Sequence, residues 1–223
     1  MPTHFSGEEK RRSSRAIQEK LKIPEDAWVI TYVGNFKPQK NTRDLIKVAE
    51  QVLLQSPNTH FVLVGDGEER EGIVRYVTER NLEHAVHLVG WLKRRDDIQE
   101  VLRFSDCFLL TSLWEGLPRA LVEAFAARLP AVAYAVDGVT DILKEGETGF
   151  PVPAGDVDQA AQKLLWLKAN PEKAKEMGGH GRRLIEKEFD IDLMVRQQEE
   201  LYDKLFQAVP LKEYYRPHGP VGI

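Results

Sequence analysis

Along most of the chain, short apolar runs rich in β-branched and aromatic residues alternate with longer stretches whose apolar positions recur every three or four residues. The runs fall at Trp28 to Val33, His60 to Val64, Val86 to Val89, Asp106 to Leu110 and Pro130 to Ala135, with a sixth, proline-edged run within Glu147 to Pro153. Between them the helical period predicts helices from about Thr42 to Leu54, from the Gly65 turn to near Arg80, over Asp96 to Phe104, and over Pro118 to Ala127. Three more follow: one capped by Asp156 and running to about Ala169, then Pro171 to Glu188 and Asp192 to Ala208. Strands alternating with helices imply an α/β fold, a Rossmann-like doubly wound parallel sheet of about six strands with helices on both faces. Ligands of such sheets lie beyond the carboxyl ends of the strands. Lys40, Gly65, Trp91, Glu115 and Asp137 all follow strand ends, so the candidate chemistry converges on one rim.

The same pattern divides the chain into a linker helix (1–27), a sheet domain (28–190), a C-terminal crossover helix (191–209) and a flexible tail (210–223) with three prolines and two glycines. Within the linker, residues 6–21 read as a basic helix, with Ser6 and Glu9 at capping-box positions and with Arg11, Arg12 and Arg15 clustered. That cluster is either a phosphate or headgroup patch or simply a solvated face.

The chemistry concentrates between Thr111 and Ala127, where a buried strand passes through Gly116 and Pro118 into a helix. Pro118 suits the first helical position, because its missing N–H would have had no intrahelical partner there. A helix N-terminus offers unpaired N–H groups and partial positive charge, which suits a phosphate. Glu115 lies just ahead of that end, and Glu123 sits inside the helix among Leu121, Val122, Ala124 and Phe125, where an unpaired carboxylate is costly. Carboxylates accept hydrogen bonds from the paired hydroxyls of sugars, so the stretch reads as a site for a phosphorylated sugar. Either acid could instead be an ordinary helix-start or helix-surface charge. Earlier in the chain, Gly34 to Asn41 forms a glycine-containing strand-to-helix loop, and Lys40 near the helix start can reach a diphosphate.

Composition narrows the alternatives. In 223 residues a net charge of −4 leaves no footprint for nucleic acid. Cys107 is the only cysteine, so no disulfide can form within the chain, and its apolar surroundings suggest a buried thiol suited to a reducing cytoplasm. No apolar segment approaches the roughly 18 residues of a membrane span, which restricts membrane contact to a peripheral one at the inner face. A dinucleotide fingerprint would need a glycine at position 70, where this chain has Arg70, so a nicotinamide cofactor is disfavoured. No cluster of metal ligands is visible, and no cofactor or metal is expected.

The sequence Glu-Gly-Leu-Pro-Arg-Ala-Leu-Val-Glu-Ala-Phe-Ala at 115–126, followed by Pro130 and Asp137-Gly138, resembles the Glu-x7-Glu signature of the retaining glycosyltransferases of family four. Those enzymes have the two-domain GT-B fold, and the resemblance covers about residues 28–190, the nucleotide-sugar-binding half. It implies that Gly34, Asn35 and Lys40 occupy the diphosphate loop, where the family has Val-Gly-Arg followed by Lys. Asn35 replaces the arginine, which leaves Arg119 as a candidate second phosphate ligand. Gly65 marks a tight turn near the ligand, and Trp91 and Leu92 become base-contact candidates, although an aromatic at a strand end is as often core. Asp137 and Asp141 depart from the family's Gly-Gly-x-x-Glu, and that loop is expected to shape the pocket.

The implied function is the donor-binding domain of a glycosyltransferase, a hexosyltransferase using a UDP or GDP sugar in polysaccharide or glycoconjugate biosynthesis. Retention of configuration without a metal is expected. Lys40 would offset diphosphate charge, Glu115 with the backbone of Gly116 and Leu117 would hold sugar hydroxyls, and Glu123 the ribose. Pro118 lacks the N–H that a glycine would donate. The acceptor-binding domain of the family is not in this chain, which alone is expected to bind nucleotide without appreciable transfer. Two other readings stay open: a non-catalytic nucleotide-sugar-binding or regulatory module acting through a partner chain, and one half of a sugar-nucleotide epimerase.

Overall fold

Six parallel strands form one sheet: β1 (Trp28–Val33), β2 (Thr59–Val64), β3 (Val86–Gly90), β4 (Cys107–Leu110), β5 (Ala131–Tyr134) and β6 (Gly149–Val152). Their spatial order is β3-β2-β1-β4-β5-β6, the doubly wound order in which the chain reverses direction across the sheet between β1 and β4. The computed structural model describes residues 17–189 and 191–208. Most of the basic segment expected at 6–21, and all of the tail 210–223, lie outside the described residues; 17–20 are helical.

The β1–β2 ladder is long, from Trp28 opposite Thr59 to Val33 opposite Val64. The β1–β4 ladder is short, joining Ile30 to Cys107 and Thr31 to Phe108 only. Sheet hydrogen bonding therefore stops early at the reversal, and a crevice opens there. Pro151 lies in β6, the edge strand, where a missing N–H costs no ladder bond on the open side.

The helices are α1 (Thr42–Gln55), α2 (Arg70–Glu79), α3 (Arg95–Phe104), α4 (Arg119–Ala126), α5 (Val139–Ile142), α6 (Val157–Ala169), α7 (Pro171–Glu188) and α8 (Ile191–Ala208). On one face α3 brings Ile98, Val101 and Phe104 against Val29, Val62 and Val64. On the other, α1 packs beside α2 and α6, burying Leu45, Ile46, Val48, Ala49 and Val52 completely. Each of the larger of these side chains contributes about 1.5–3 kcal/mol of gross burial free energy. Cys107 is fully buried in β4, and burial pushes its thiol pKa up, as expected of a structural cysteine.

Asp156 caps α6 by accepting from the Gln159 N–H at 2.9 Å, as its sequence position suggests. Two local expectations change. Pro118 is the residue before α4 and not its first residue: its ψ is 78°, outside the helical range, while its carbonyl accepts from Leu121 and Val122 at 2.9 and 3.1 Å. It thus acts as an N-cap, a position at which a missing N–H is equally harmless. The Asp137 turn continues into the one-turn helix α5. The chain divides into two compact units between Leu184 and Ile185, within α7. No described helix is long and apolar enough to cross a membrane.

A histidine pair in the sheet makes stability depend on pH. His60 Nδ1 and His87 Nε2 lie 2.9 Å apart on adjacent strands, with their rings stacked. Burial, then the neighbouring His60 and His84, lowers His87 to about 4; burial and then His84 lower His60. Both rings are held neutral in the fold, whereas the unfolded chain protonates near 6.5. Stability is therefore fully present above that value and falls as pH drops from about 6.5 to about 4. Because His87 is partly exposed, the loss is on the order of 1–2 kcal/mol after allowance for solvent screening. His87→Gln flattens this part of a melting-temperature profile; an unchanged slope in that variant refutes the assignment.

Candidate functional site

Where β1 and β2 end, their loops touch. Gly34 N–H donates to Val64 O at 3.0 Å and Gly65 N–H to Gly90 O at 2.9 Å. A Cβ at Gly65 would fall 1.9 Å from the Gly34 carbonyl oxygen, so only glycine permits this approach. The chain then runs through exposed Asn35 and buried Phe36 to a 3-10 turn at Pro38–Lys40.

Asn41 follows in the left-handed region at φ 46°, which asparagine tolerates well. Its side-chain amide donates to Asp44 Oδ2 at 2.7 Å. Asp44 also accepts from Lys47 at 2.8 Å and from the Tyr134 hydroxyl at 3.1 Å. Burial alone would raise the Asp44 pKa, but the hydrogen bonds from Lys47, Asn41 and Tyr134 outweigh it and hold the carboxyl below its ordinary range. The turn carrying Lys40 is thus fixed from the helix that follows it.

The loop after β4 meets that turn. Lys40 Nζ contacts Glu115 Oε1, and the Ser112 hydroxyl donates to the same oxygen at 2.6 Å. The two side chains are 18% and 7% exposed, so the pair is largely withdrawn from water yet still reachable. Both belong to a cleft of about 310 Å³ at the carboxyl ends of β1, β2 and β4, lined by Gly34, Asn35, Lys40, Gly65, Trp91, Leu92, Glu115, Leu117, Arg119 and Glu123.

Most residues singled out from sequence converge on this wall; Asp137 and Asp141 do not line it, and neither do Pro118 and Gly116. Pro118 is buried behind the cleft as the cap of α4. Gly116 does not line it; its carbonyl lies against the Gly138 turn, where a Cβ on Gly138 would come within 1.7 Å. Trp91 is 63% exposed, which excludes the core alternative, whereas Leu92 packs on the apolar cluster with Val89 and Ile98.

Positive charge enters from Lys40 and from Arg119, exposed in the first turn of α4. In that turn Arg119 N–H bonds to Leu117 O, and Leu121 and Val122 bond to Pro118 O. Among the described residues the Ala120 N–H has no backbone partner, and Ala120 lines the cleft. Sequence reasoning missed Ala120, Val33, Val64 and Ile98 of the lining, and also Gln39, Thr111 and Ser112, which hold it. Ser112 was legible in principle, as a hydroxyl three residues from Glu115.

The parallel sheet and its strand order, with a mixed-charge cleft at the reversal, define a Rossmann-like domain of the kind that forms one half of a GT-B fold. The chain belongs to the family described as glycosyl transferases group 1, which matches residues 13–184. It is 35% identical over 153 residues to the Escherichia coli UDP-Gal:alpha-D-GlcNAc-diphosphoundecaprenol alpha-1,3-galactosyltransferase, covering 67% of this chain and 39% of that protein. It is 26% identical over 192 residues to the Bacillus anthracis N-acetyl-alpha-D-glucosaminyl L-malate synthase, covering 86% of this chain and 49% of the relative. The chain therefore spans half or less of these relatives.

Among solved structures, the sucrose-phosphate synthase of Thermosynechococcus elongatus superposes with a TM-score of 0.77 at 27% identity, covering 87% of this chain and 49% of that one. The Anabaena protein Alr3699/HepE in complex with UDP-glucose superposes with a TM-score of 0.79 at 21% identity, covering 90% and 54%. The latter likeness speaks to the fold.

Proposed function

We propose that this chain is the donor-binding part of a glycosyltransferase that uses a nucleoside diphosphate sugar, with UDP as the nucleotide, and transfers the sugar with retention of configuration and without a metal ion. The observation that carries this reading is the meeting of Lys40 and Glu115, from loops 75 residues apart in sequence, at the bottom of the cleft where the strand order reverses. UDP is favoured because the Escherichia coli relative is named for UDP-Gal and the Anabaena structure contains UDP-glucose.

In this reading, diphosphate oxygens gain charge as the glycosidic bond breaks. Lys40, Arg119 and the free N–H of Ala120 offset that charge from fixed positions, an electrostatic contribution that needs no reorganisation during the reaction. Arg119 takes the role that Asn35 is unable to fill. Glu115 exchanges part of its bond to Lys40 for sugar hydroxyls, and Glu123, whose carboxylate has no ion pair among the described residues, accepts from the ribose hydroxyls. Trp91 and Leu92 flank the base.

Isothermal calorimetry with UDP and GDP tests the assignment. Wild type binds UDP more tightly than GDP, and Glu123→Ala weakens UDP binding by about tenfold, the loss of one or two hydrogen bonds to a charged acceptor. Equal affinity in the two proteins would remove Glu123 from the site.

A further inference from the structure

At the reversal of strand order the loops after β1 and β4 lead to helices on opposite faces of the sheet, and the β1–β4 ladder ends at Thr31 and Phe108. Beyond that point no strand pairing keeps Lys40 and Glu115 together. The loops are nonetheless joined, and Gln39 makes the join at two points. Its backbone carbonyl accepts from the Leu113 N–H at 2.8 Å, and its side-chain amide donates to the Trp114 carbonyl at 2.7 Å. Thr111 adds a third point, its hydroxyl lying 3.1 Å from the carbonyl oxygens of both Lys40 and Asn41. Lys40 follows Gln39 directly, and Glu115 follows Trp114 directly, so these bonds fix the backbone on which each charged side chain is mounted.

From this geometry we infer that Gln39, seconded by Thr111, is a positioning residue: it holds the Glu115 loop against the Lys40 turn so that the ammonium and the carboxylate present a preset pair to an incoming diphosphate sugar. The inference rests on the donor-site reading for its functional half and on hydrogen bonding alone for its structural half. The Gln39 hydrogen bonds go to Leu113 and Trp114, neither of which lines the cleft. Its effect must therefore fall on the diphosphate contribution to binding and spare the nucleoside, because in the donor-site reading base and ribose meet Trp91, Leu92 and Glu123, which line the cleft from other elements. A lash that merely kept the protein folded would weaken uridine and UDP alike.

The test uses the whole chain carrying Gln39→Met, an isostere without the amide donor, and Gln39→Met combined with Thr111→Val. Hydrogen exchange followed by mass spectrometry reads the tie without any ligand: exchange over residues 111–117 accelerates in both variants while the β2 and β5 segments stay protected. Calorimetry with uridine and UDP reads its consequence. The UDP-to-uridine affinity ratio falls roughly fivefold to tenfold in the single variant and further in the double, with uridine affinity unchanged. Unaltered exchange at 111–117 overturns the tie outright. Faster exchange with an unchanged ratio shows that the tie positions nothing that meets the diphosphate, which also overturns it. A wild type that binds neither uridine nor UDP refutes the UDP-site reading, and the positioning role falls with it even if the exchange result stands.

Discussion

Lys40→Ala lowers affinity for UDP by about ten- to a hundredfold while leaving affinity for uridine unchanged, and it destabilises the chain at the same time. The first effect is the loss of a charge-assisted hydrogen bond to a phosphate oxygen, worth about 1.5–3 kcal/mol. The second follows from what the substitution leaves behind. Glu115 is 7% exposed, and without Lys40 its carboxylate keeps, among the described residues, only the Ser112 hydroxyl. Stranding one partner of a fully buried pair costs about 3–5 kcal/mol; the 18% exposure of Lys40 leaves room for water to enter, so about 2–3 kcal/mol is expected. Combining Lys40→Met with Glu115→Gln separates the two effects, because it removes both charges and so recovers most of the stability without restoring UDP affinity. Thermal unfolding and calorimetry on the same samples decide the matter. Should Lys40→Ala bind UDP as wild type does, the pair is structural and its place in donor binding is lost.

The pair also shows how far the sequence reaches. Runs such as Trp28 to Val33 and Cys107 to Leu110 announce themselves because parallel strands buried on both faces must be apolar throughout, and the helices between them carry a period that strands lack. Parallel alternation then places every strand-end loop on one rim, so Lys40, Gly65, Trp91, Glu115 and Asp137 are expected together; the first four line the cleft and Asp137 does not. What stayed hidden is what depends on single dihedral angles or on contacts across long separations. Whether Pro118 precedes or begins α4 turns on its ψ of 78°, which proline, fixing only φ, leaves open. The tie from Gln39 to Trp114 joins an amide to a backbone carbonyl 75 residues away, and no periodicity encodes such a bond. Trp91 was ambiguous for a different reason: an aromatic after a strand is equally at home in a core or on a rim, and only the surrounding surface settles which.

Gly138 lies in the Asp137 turn, which the sequence reads as shaping the pocket without chemistry of its own. Gly138 precedes α5 with φ 75° and ψ −35°, a backbone conformation that L side chains rarely adopt. A Cβ there would stand 1.7 Å from the Gly116 carbonyl oxygen and 3.1 Å from that of Glu115. Both atoms are backbone, so no side chain can rotate away, and relief requires moving the loop that carries Glu115. Gly138→Ala therefore has two costs: about 1–2 kcal/mol for the left-handed residue, and the displacement of the 115–116 segment. Gly146→Ala isolates the first, since Gly146 has φ 70° with nothing near its missing Cβ. Both variants melt below wild type, Gly138→Ala the lower of the two, and only Gly138→Ala loses UDP affinity, by about tenfold or more, as expected when a loop bearing a binding carboxylate shifts by about an ångström. Equal UDP affinity in the two alanine variants would mean that the Glu115 loop yields without cost, and that the turn at Gly138 does not set the shape of the cleft.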